Sequence, residues 1–249
     1  MKKKLPIKLE AEPLIDAVFE VRFISLFPAS SILPGLLFSR LEGDKTIDSL
    51  PAAQLPKQFR DSDPNMQFAP LSRIDWSDFY INIGDQSLSI GIKHPYPGWN
   101  KFQTAIIKGV EIIKDSNIIG AIERYSLKYI DLIPSVSLKD QVSFINSDIT
   151  LAGHKLEKEA FQLRIEIPKD GFINAVQVIS SAKAIIHTGE LLDGLVVDVD
   201  TISNQKFASI EDLLIDFEEK LSTIHRVNKE IFFDCLTDTT IQLLRPIYE

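Results

Sequence analysis

The segment "SIEDLLIDFEEKLSTIHRVNKEIFFDCLTD", residues 209 to 238, places apolar residues at helical spacing. Ile210, Leu213, Leu214, Phe217, Leu221, Ile224, Val227 (or Asn228), Ile231 and Cys235 fall on one stripe. A helix of this kind must bury its stripe against another layer. Ser209, followed three residues later by Asp212, resembles a capping box, and Glu211 with Asp212 suits the positive helix N-terminus. A short terminal helix over 238–244 stops at Pro246. The covering layer has to come from the segments upstream, and those alternate.

"LIDAVFEVRFISLF" (14–27) puts Ile15, Ala17, Phe19, Val21 and Phe23 on one face and Asp16, Val18, Glu20 and Arg22 on the other. Period-two patterning of this kind is a half-buried strand. "SSILPGLLFSRLEG" predicts a short helix, capped by Ser30 or Ser31, with Pro34 in its first turn and Gly43 at its end. Residues 44 to 70 carry Pro51, Pro56, Pro64 and Pro70 among polar residues and read as a long surface excursion, a candidate mobile or partner-binding segment. "RIDWSDFYINIGDQSLSIGIKH" predicts a hairpin with arms Trp76–Ile83 and Ser87–Lys93 about the Gly84–Gln86 turn. "NKFQTAIIKGVEIIKDSN" repeats Phe102, Ile106, Val110 and Ile113, a helix, and "ERYSLKYIDLI" (123–133) is the next strand. In that strand Tyr125, Leu127, Tyr129 and Asp131 face one way, while Arg124, Ser126, Lys128, Ile130 and Leu132 face the other. The order is β-α-β-β-α-β, that of a ferredoxin-like unit.

Beyond a polar bridge, four strands are expected: "EAFQLRIEIP", "FINAVQVISS", "KAIIHT" and "GLVVDVDTI". Their separators are "KDG", Ser180/Ser181 and "GELLDG". The expected class is α+β, with mainly antiparallel sheet and a long C-terminal amphipathic helix. The expected division is 1–133 as a ferredoxin-like-order half, 134–157 as connector, and 158–249 as a meander-plus-helix half, with one continuous domain as the alternative. There is no repeat of solenoid type.

Composition narrows the function. The formal net charge of −8 opposes non-specific duplex binding, which needs a basic footprint, and so disfavours nucleic acid as a partner. One cysteine, Cys235, rules out an intrachain disulfide and a cysteine zinc cluster. The basic start is interrupted by Lys8, Glu10, Glu12 and Asp16, so it lacks the apolar core of a signal peptide. No run approaches the roughly 18 apolar residues of a membrane span. The expected location is the cytoplasm, without membrane association.

Three stretches, "AEPLIDAVFEVRF", "YPGWNKF" and "RYSLKYID", resemble an uncharacterised prokaryotic family of about this length, scattered sporadically among bacteria and archaea. Its pattern is a Pro-Leu-acid strand ending Glu-Ile/Val-Arg-Phe, a Tyr-x-Gly-Trp turn before a helix, and then Arg-x-Gly-Leu-Arg-Tyr-Ile-Asn. Pro13, Leu14, Glu20, Arg22 and Phe23 match the first element; Gly98, Trp99 and Phe102 the second; Arg124, Leu127, Tyr129 and Ile130 the third. Ser126, Lys128 and Asp131 stand where the pattern has Gly, Arg and Asn. A sporadic distribution resembles that of mobile defence and toxin–antitoxin loci, which implies a regulatory role.

Four groups of residues are candidates for chemistry. Glu20/Arg22, Arg124/Lys128, Arg164/Glu166 and Asp198/Asp200 are charged pairs sharing a strand face. Such a row is either an outer face stapled by ion pairs, or a binding face where Arg22, Arg124 and Lys128 grip an anion. Asp198 and Asp200 in "VVDVD" could hold a divalent metal, but such a site needs a third acid, and no [DE]-x-K strand or phosphate loop follows. "HPYPGWNKF" either anchors Trp99 in the core or offers Tyr96 and Trp99 as a stacking platform. His94, His154, His187 and His225 make no metal-binding spacing; His225 reads as a packing histidine and Cys235 as a small buried hydrophobe.

These readings order three functions. The first is a non-catalytic binding or regulatory protein acting through a protein partner, with homo-oligomerisation left open and no cofactor implied. The second is a binder of a small anion or nucleotide in a cavity between sheet and C-terminal helix. The third is a metal-dependent nucleic-acid enzyme using Asp198 and Asp200.

Overall fold

A computed structural model describes residues 5–64, 66–185 and 191–248. It is α+β: 31% helix and 40% strand, with a large antiparallel sheet and several helices, one C-terminal. In chain order the main elements begin with β1 (Leu14–Ser25), α1 (Leu33–Arg40), β2 (Lys45–Ser49) and α2 (Lys57–Ser62). They continue with β3 (Ser72–Trp76), β4 (Phe79–Ile83), β5 (Ser87–Ile92), α3 (Trp99–Lys114), β6 (Ile119–Pro134) and α4 (Leu138–Phe144). The last are β7 (Gln162–Lys169), β8 (Phe172–Ile185), β9 (Leu191–Ser203), α5 (Ile210–Leu214), α6 (Phe217–Cys235) and α7 (Asp238–Leu243). No described helix is long and apolar enough to cross a membrane.

The chain divides into two compact units. The N-proximal unit holds 17–127 and 202–224; the terminal unit holds 1–16, 128–201 and 225–249.

In the N-proximal unit the sheet order is β6-β1-β5-β4-β3-β2. The β-α-β-β-α-β succession is present as β1, α1, β4–β5, α3 and β6, with β3 and β2 added beyond β4. Alternation drives the packing. Phe19, Val21 and Phe23 of β1 and Ile81, Ile83, Leu88 and Ile90 of the β4–β5 hairpin are wholly buried. Helix α3 covers them with Phe102, Ile106 and Val110, and Phe79 stacks on Phe102 at 6.2 Å. A full burial of each such side chain contributes about 1.5–3 kcal/mol.

In the terminal unit the order is β7-β8-β9-β6. Val176, Val178, Leu195, Val197 and Val199 pack against Ile231, Phe232 and Phe233 of α6. The β7–β8 hairpin is fastened at its tip to α6. Lys169 Nζ lies 3.0 Å from Glu230 and 3.4 Å from Asp234, while Arg226 reaches Glu230 at 2.7 Å and Asp170 at 3.0 Å.

Several elements differ from expectation, each for a local reason. The described part of the 44–70 excursion carries regular structure. Its β2 pairs antiparallel with β3, from Lys45↔Trp76 to Ser49↔Ser72. Pro51 opens a short 3₁₀ turn and Pro56 caps α2, so these prolines start helical turns rather than exclude them. The expected arm Trp76–Ile83 is shortened to Phe79–Ile83, and Trp76 ends the preceding strand: Ser77 adopts a positive φ of 47° and the chain reverses between Trp76 and Phe79. Ser180/Ser181 is no turn: β8 runs through it, with Ser181 at φ 53° and its N–H donated to Gln141 Oε1 at 2.8 Å. The long C-terminal helix is broken. Ser209 caps α5 by accepting from Asp212 N at 3.2 Å, but Asp216 takes φ 50° and α6 begins anew at Phe217. Lys220 Nζ donates to the freed Ile215 carbonyl. Ser30 binds Asp85 at 2.5 Å rather than capping α1. His187 and part of the "GELLDG" turn lie outside the described residues.

Candidate anion-binding face

The period-two pattern of β1 sends Phe19, Val21 and Phe23 into the core of the N-proximal unit and leaves Glu20 and Arg22 on the opposite face. On β6, Arg124 reaches the same face. Arg22 Nε donates to Glu20 Oε1 at 2.6 Å, and an Arg124 terminal nitrogen donates to that same oxygen at 3.3 Å. The three side chains are 26%, 25% and 25% exposed for Arg22, Glu20 and Arg124 respectively, so they are neither buried nor freely solvated. Two guanidinium groups sharing one carboxylate leave a positive charge and unused donors.

Neighbouring strands extend this face. Register places Ser89 beside Glu20, Asn82 beside Ser89 and Arg73 beside Asn82. Arg73 Nε donates to Asn82 at 2.9 Å, and its guanidinium lies 4.2 Å over the Tyr80 ring. Tyr80 lies across Gly91, where any Cβ would collide with the ring. Arg22 in turn lies 4.1 Å over the Phe68 ring, a cation–π contact supplied by the segment after α2. Helix α2, just before that segment, is held by Arg60, which pairs with Asp85 at 3.0 Å with both side chains largely buried.

Arg124 has one further property. Its Nε is buried and has no hydrogen-bond partner among the described residues. A buried N–H left without a partner costs about 1–3 kcal/mol. Folding tolerates this only if other contacts compensate.

The other expected site residues are distributed elsewhere. Lys128 belongs to the terminal unit, where its Nζ sits 2.8 Å from Asp198. Asp198 is thus ion-paired, Asp200 is half-buried, and no group of three or more His, Cys, Asp or Glu residues able to hold a metal occurs among the described residues. Buried Asp131 has its pKa raised well above the usual carboxylate value, first by burial and then by the charges of Glu12 and Asp198. Trp99 opens α3, is half-buried and meets Phe102 edge-on at 6.3 Å and 86°, while Tyr96 is half-buried in the preceding turn. His225 packs against Tyr129 at 5.8 Å; burial, with a smaller contribution from Lys229, pulls its pKa down to about 3. Burial raises the Cys235 thiol to about 11. Arg164 and Glu166 pair with each other at 3.0 Å on exposed β7.

The terminal unit holds a second polar cluster, on the apolar side of its strands. Asn228 of α6 donates to the Val199 carbonyl at 2.8 Å and to Thr201 Oγ1 at 3.1 Å. Thr201 donates to Asn174 Oδ1 at 2.8 Å, and Asn174 donates to the Ile167 carbonyl at 3.0 Å.

Phe68, Arg73 and Tyr80 were not expected at a site. The signal for Arg73 and Tyr80 lay in the alternation of "RIDWSDFYINI"; Phe68 sits in the excursion and had none. Compared with known proteins, the chain matches no family model and no curated sequence.

Proposed function

We propose that this chain is a non-catalytic binding protein that takes an anionic group on the polar face of its N-proximal unit. The observation that carries the reading is the convergence of two part-exposed guanidinium groups, Arg22 and Arg124, on one oxygen of Glu20, which leaves a positive charge on that face. A carboxylate or phosphate oxygen accepting from the part-exposed terminal nitrogens of Arg124 and Arg22 would offset that charge, and charge-assisted bonds are the strong ones. Phe68 and Tyr80 supply flat apolar surface under the guanidinium groups, which holds their planes in place.

Titration calorimetry at low ionic strength, with inorganic phosphate, citrate and ADP as probes, tests this. At least one probe should bind, and Arg124→Met should weaken it about tenfold or more. If none of the three binds the wild type, or Arg124→Met binds as well, the reading fails.

A second reading, a protein partner, is favoured by exposed apolar side chains. Leu26, Phe27 and Phe59 are 75%, 61% and 68% exposed. Asp85 ties their two segments together through Ser30 and Arg60.

A further inference from the structure

Strand β7 ends the sheet order of the terminal unit, with β8 on one side. No backbone hydrogen bond among the described residues reaches its other side. The strand spans eight residues and most of them are exposed, including Ile165 at 43%. A long open edge is a template for pairing with another chain.

The hairpin geometry says which groups face outward. Lys169 pairs with Phe172 across two residues, Asp170 at φ 51° and Gly171 at φ 84°. Both turn residues have positive φ, as a type I′ turn requires. The pair flanking such a turn exchanges both its hydrogen bonds, and the pattern repeats every second residue. Residues 163, 165, 167 and 169 therefore direct their peptide groups to β8. Gln162, Arg164, Glu166 and Pro168 direct theirs outward. Pro168, which lacks an N–H, falls on the outward set, where no partner within the hairpin needs it.

We infer that this edge pairs antiparallel with the same strand of a second copy, about a two-fold axis at Ile165. In that register Arg164 stands opposite Glu166 of the partner subunit, and Glu166 stands opposite the partner's Arg164. Both pairs are outward-facing, so each exchanges two main-chain hydrogen bonds as well as opposite charges. Gln162 N–H meets the carbonyl of the partner's Pro168. Leu163 lies beside the partner's Ile167, and the two Ile165 side chains meet at the axis. A C₂ interface must be self-complementary in this way. The charges also select the register. Moving the axis to Arg164 sets two arginines against each other, and moving it to Glu166 sets two glutamates against each other; like charges directly opposite are destabilising. Strand pairing of this length falls below the standard interface size, so the dimer is weak and reversible.

The test is sedimentation equilibrium of the full chain, over concentrations reaching the millimolar range. Wild type should show a monomer–dimer equilibrium. Arg164→Glu and Glu166→Arg should each raise the dissociation constant about tenfold or more, since each turns both cross-strand pairs repulsive. The double variant Arg164→Glu/Glu166→Arg should recover wild-type association. A mixture of the two single variants should form a heterodimer tighter than either homodimer. Both positions are exposed, 59% and 55%, so circular dichroism should be unchanged in every variant. A wild type that stays monomeric throughout overturns the inference, as do single variants that associate like wild type or a mixture that does not associate.

Discussion

In the terminal unit, Asn174, Thr201 and Asn228 use one another and two strand carbonyls, and all three are buried. In the N-proximal unit, Arg22 and Arg124 share one oxygen of Glu20, are half-exposed, and keep donors in hand. The first cluster is closed. Every group named in it has a partner inside the protein, so its bonds serve stability and register. The second is open, with more donors than acceptors, and its surplus is available only to something arriving from outside. Polar character alone does not mark a site; the balance of donors and acceptors does.

The largest expected effect breaks the closed cluster. Asn228→Leu withdraws the amide from which both the Val199 carbonyl and Thr201 Oγ1 accept, leaving Thr201 its bond to Asn174, and should cost about 2–4 kcal/mol in urea unfolding. A loss under about 1 kcal/mol would mean the network is not closed as described.

Next comes acid sensitivity of the terminal unit. The folded His225 pKa is near 3, below its ordinary 6.5. Between those values the unfolded chain binds a proton that the folded chain does not. Stability should therefore fall as pH drops from 6.5 toward 3, by up to about 1.4 kcal/mol per pH unit. His225→Phe should flatten that slope in unfolding curves taken from pH 4 to 7. Asp131 acts in the opposite sense. Its raised pKa makes the folded state hold a proton that the unfolded state loses, so stability declines as pH climbs above the ordinary carboxylate value. Asp131→Asn should remove that decline and raise the melting temperature at neutral pH.

The open cluster should give the smallest stability effects and the clearest binding ones. Arg124→Met removes the unpartnered N–H, and its unfolding free energy should stay within about 1 kcal/mol of wild type. Glu20→Gln sharpens the contrast. It frees both guanidinium groups from their carboxylate, so affinity for an anionic probe should rise several-fold by calorimetry while stability falls slightly. If Glu20→Gln weakens the probe instead, the carboxylate orients the arginines rather than competing with the ligand.

Alternation made much of this legible in advance. The faces of β1, β6 and β9 followed from a period of two, and with them the meeting of Glu20, Arg22 and Arg124 on one side. Spacing alone did not show which charges would pair. Lys128 lies four residues from Arg124 and answers to Asp198, because each strand neighbour decides its own partner. The closed network also had a signal in the sequence. Asn174, Thr201 and Asn228 each sit in phase with apolar residues, between Phe172 and Val176, after Val199, and next to Val227. Three polar residues in core phase on three elements imply that they meet. The break at Asp216 and the reversal at Ser77 had little signal, since a left-handed residue other than glycine is set by its surroundings. The prolines of 44–70 were informative but double-edged, because the residue that ends one helix also begins the next.

The fastening of the β7–β8 hairpin to α6 also makes it an ionic-strength gauge. Lys169, Arg226, Asp170, Glu230 and Asp234 alternate in sign along that junction and are mostly half-exposed, so added salt screens them. Amide exchange at Asp170, Gly171 and the outer residues of β7 should then quicken with salt, while the Val197–Val199 core keeps its pace. The hairpin tip would report solution conditions on a timescale of its own, independent of whether the domain around it unfolds.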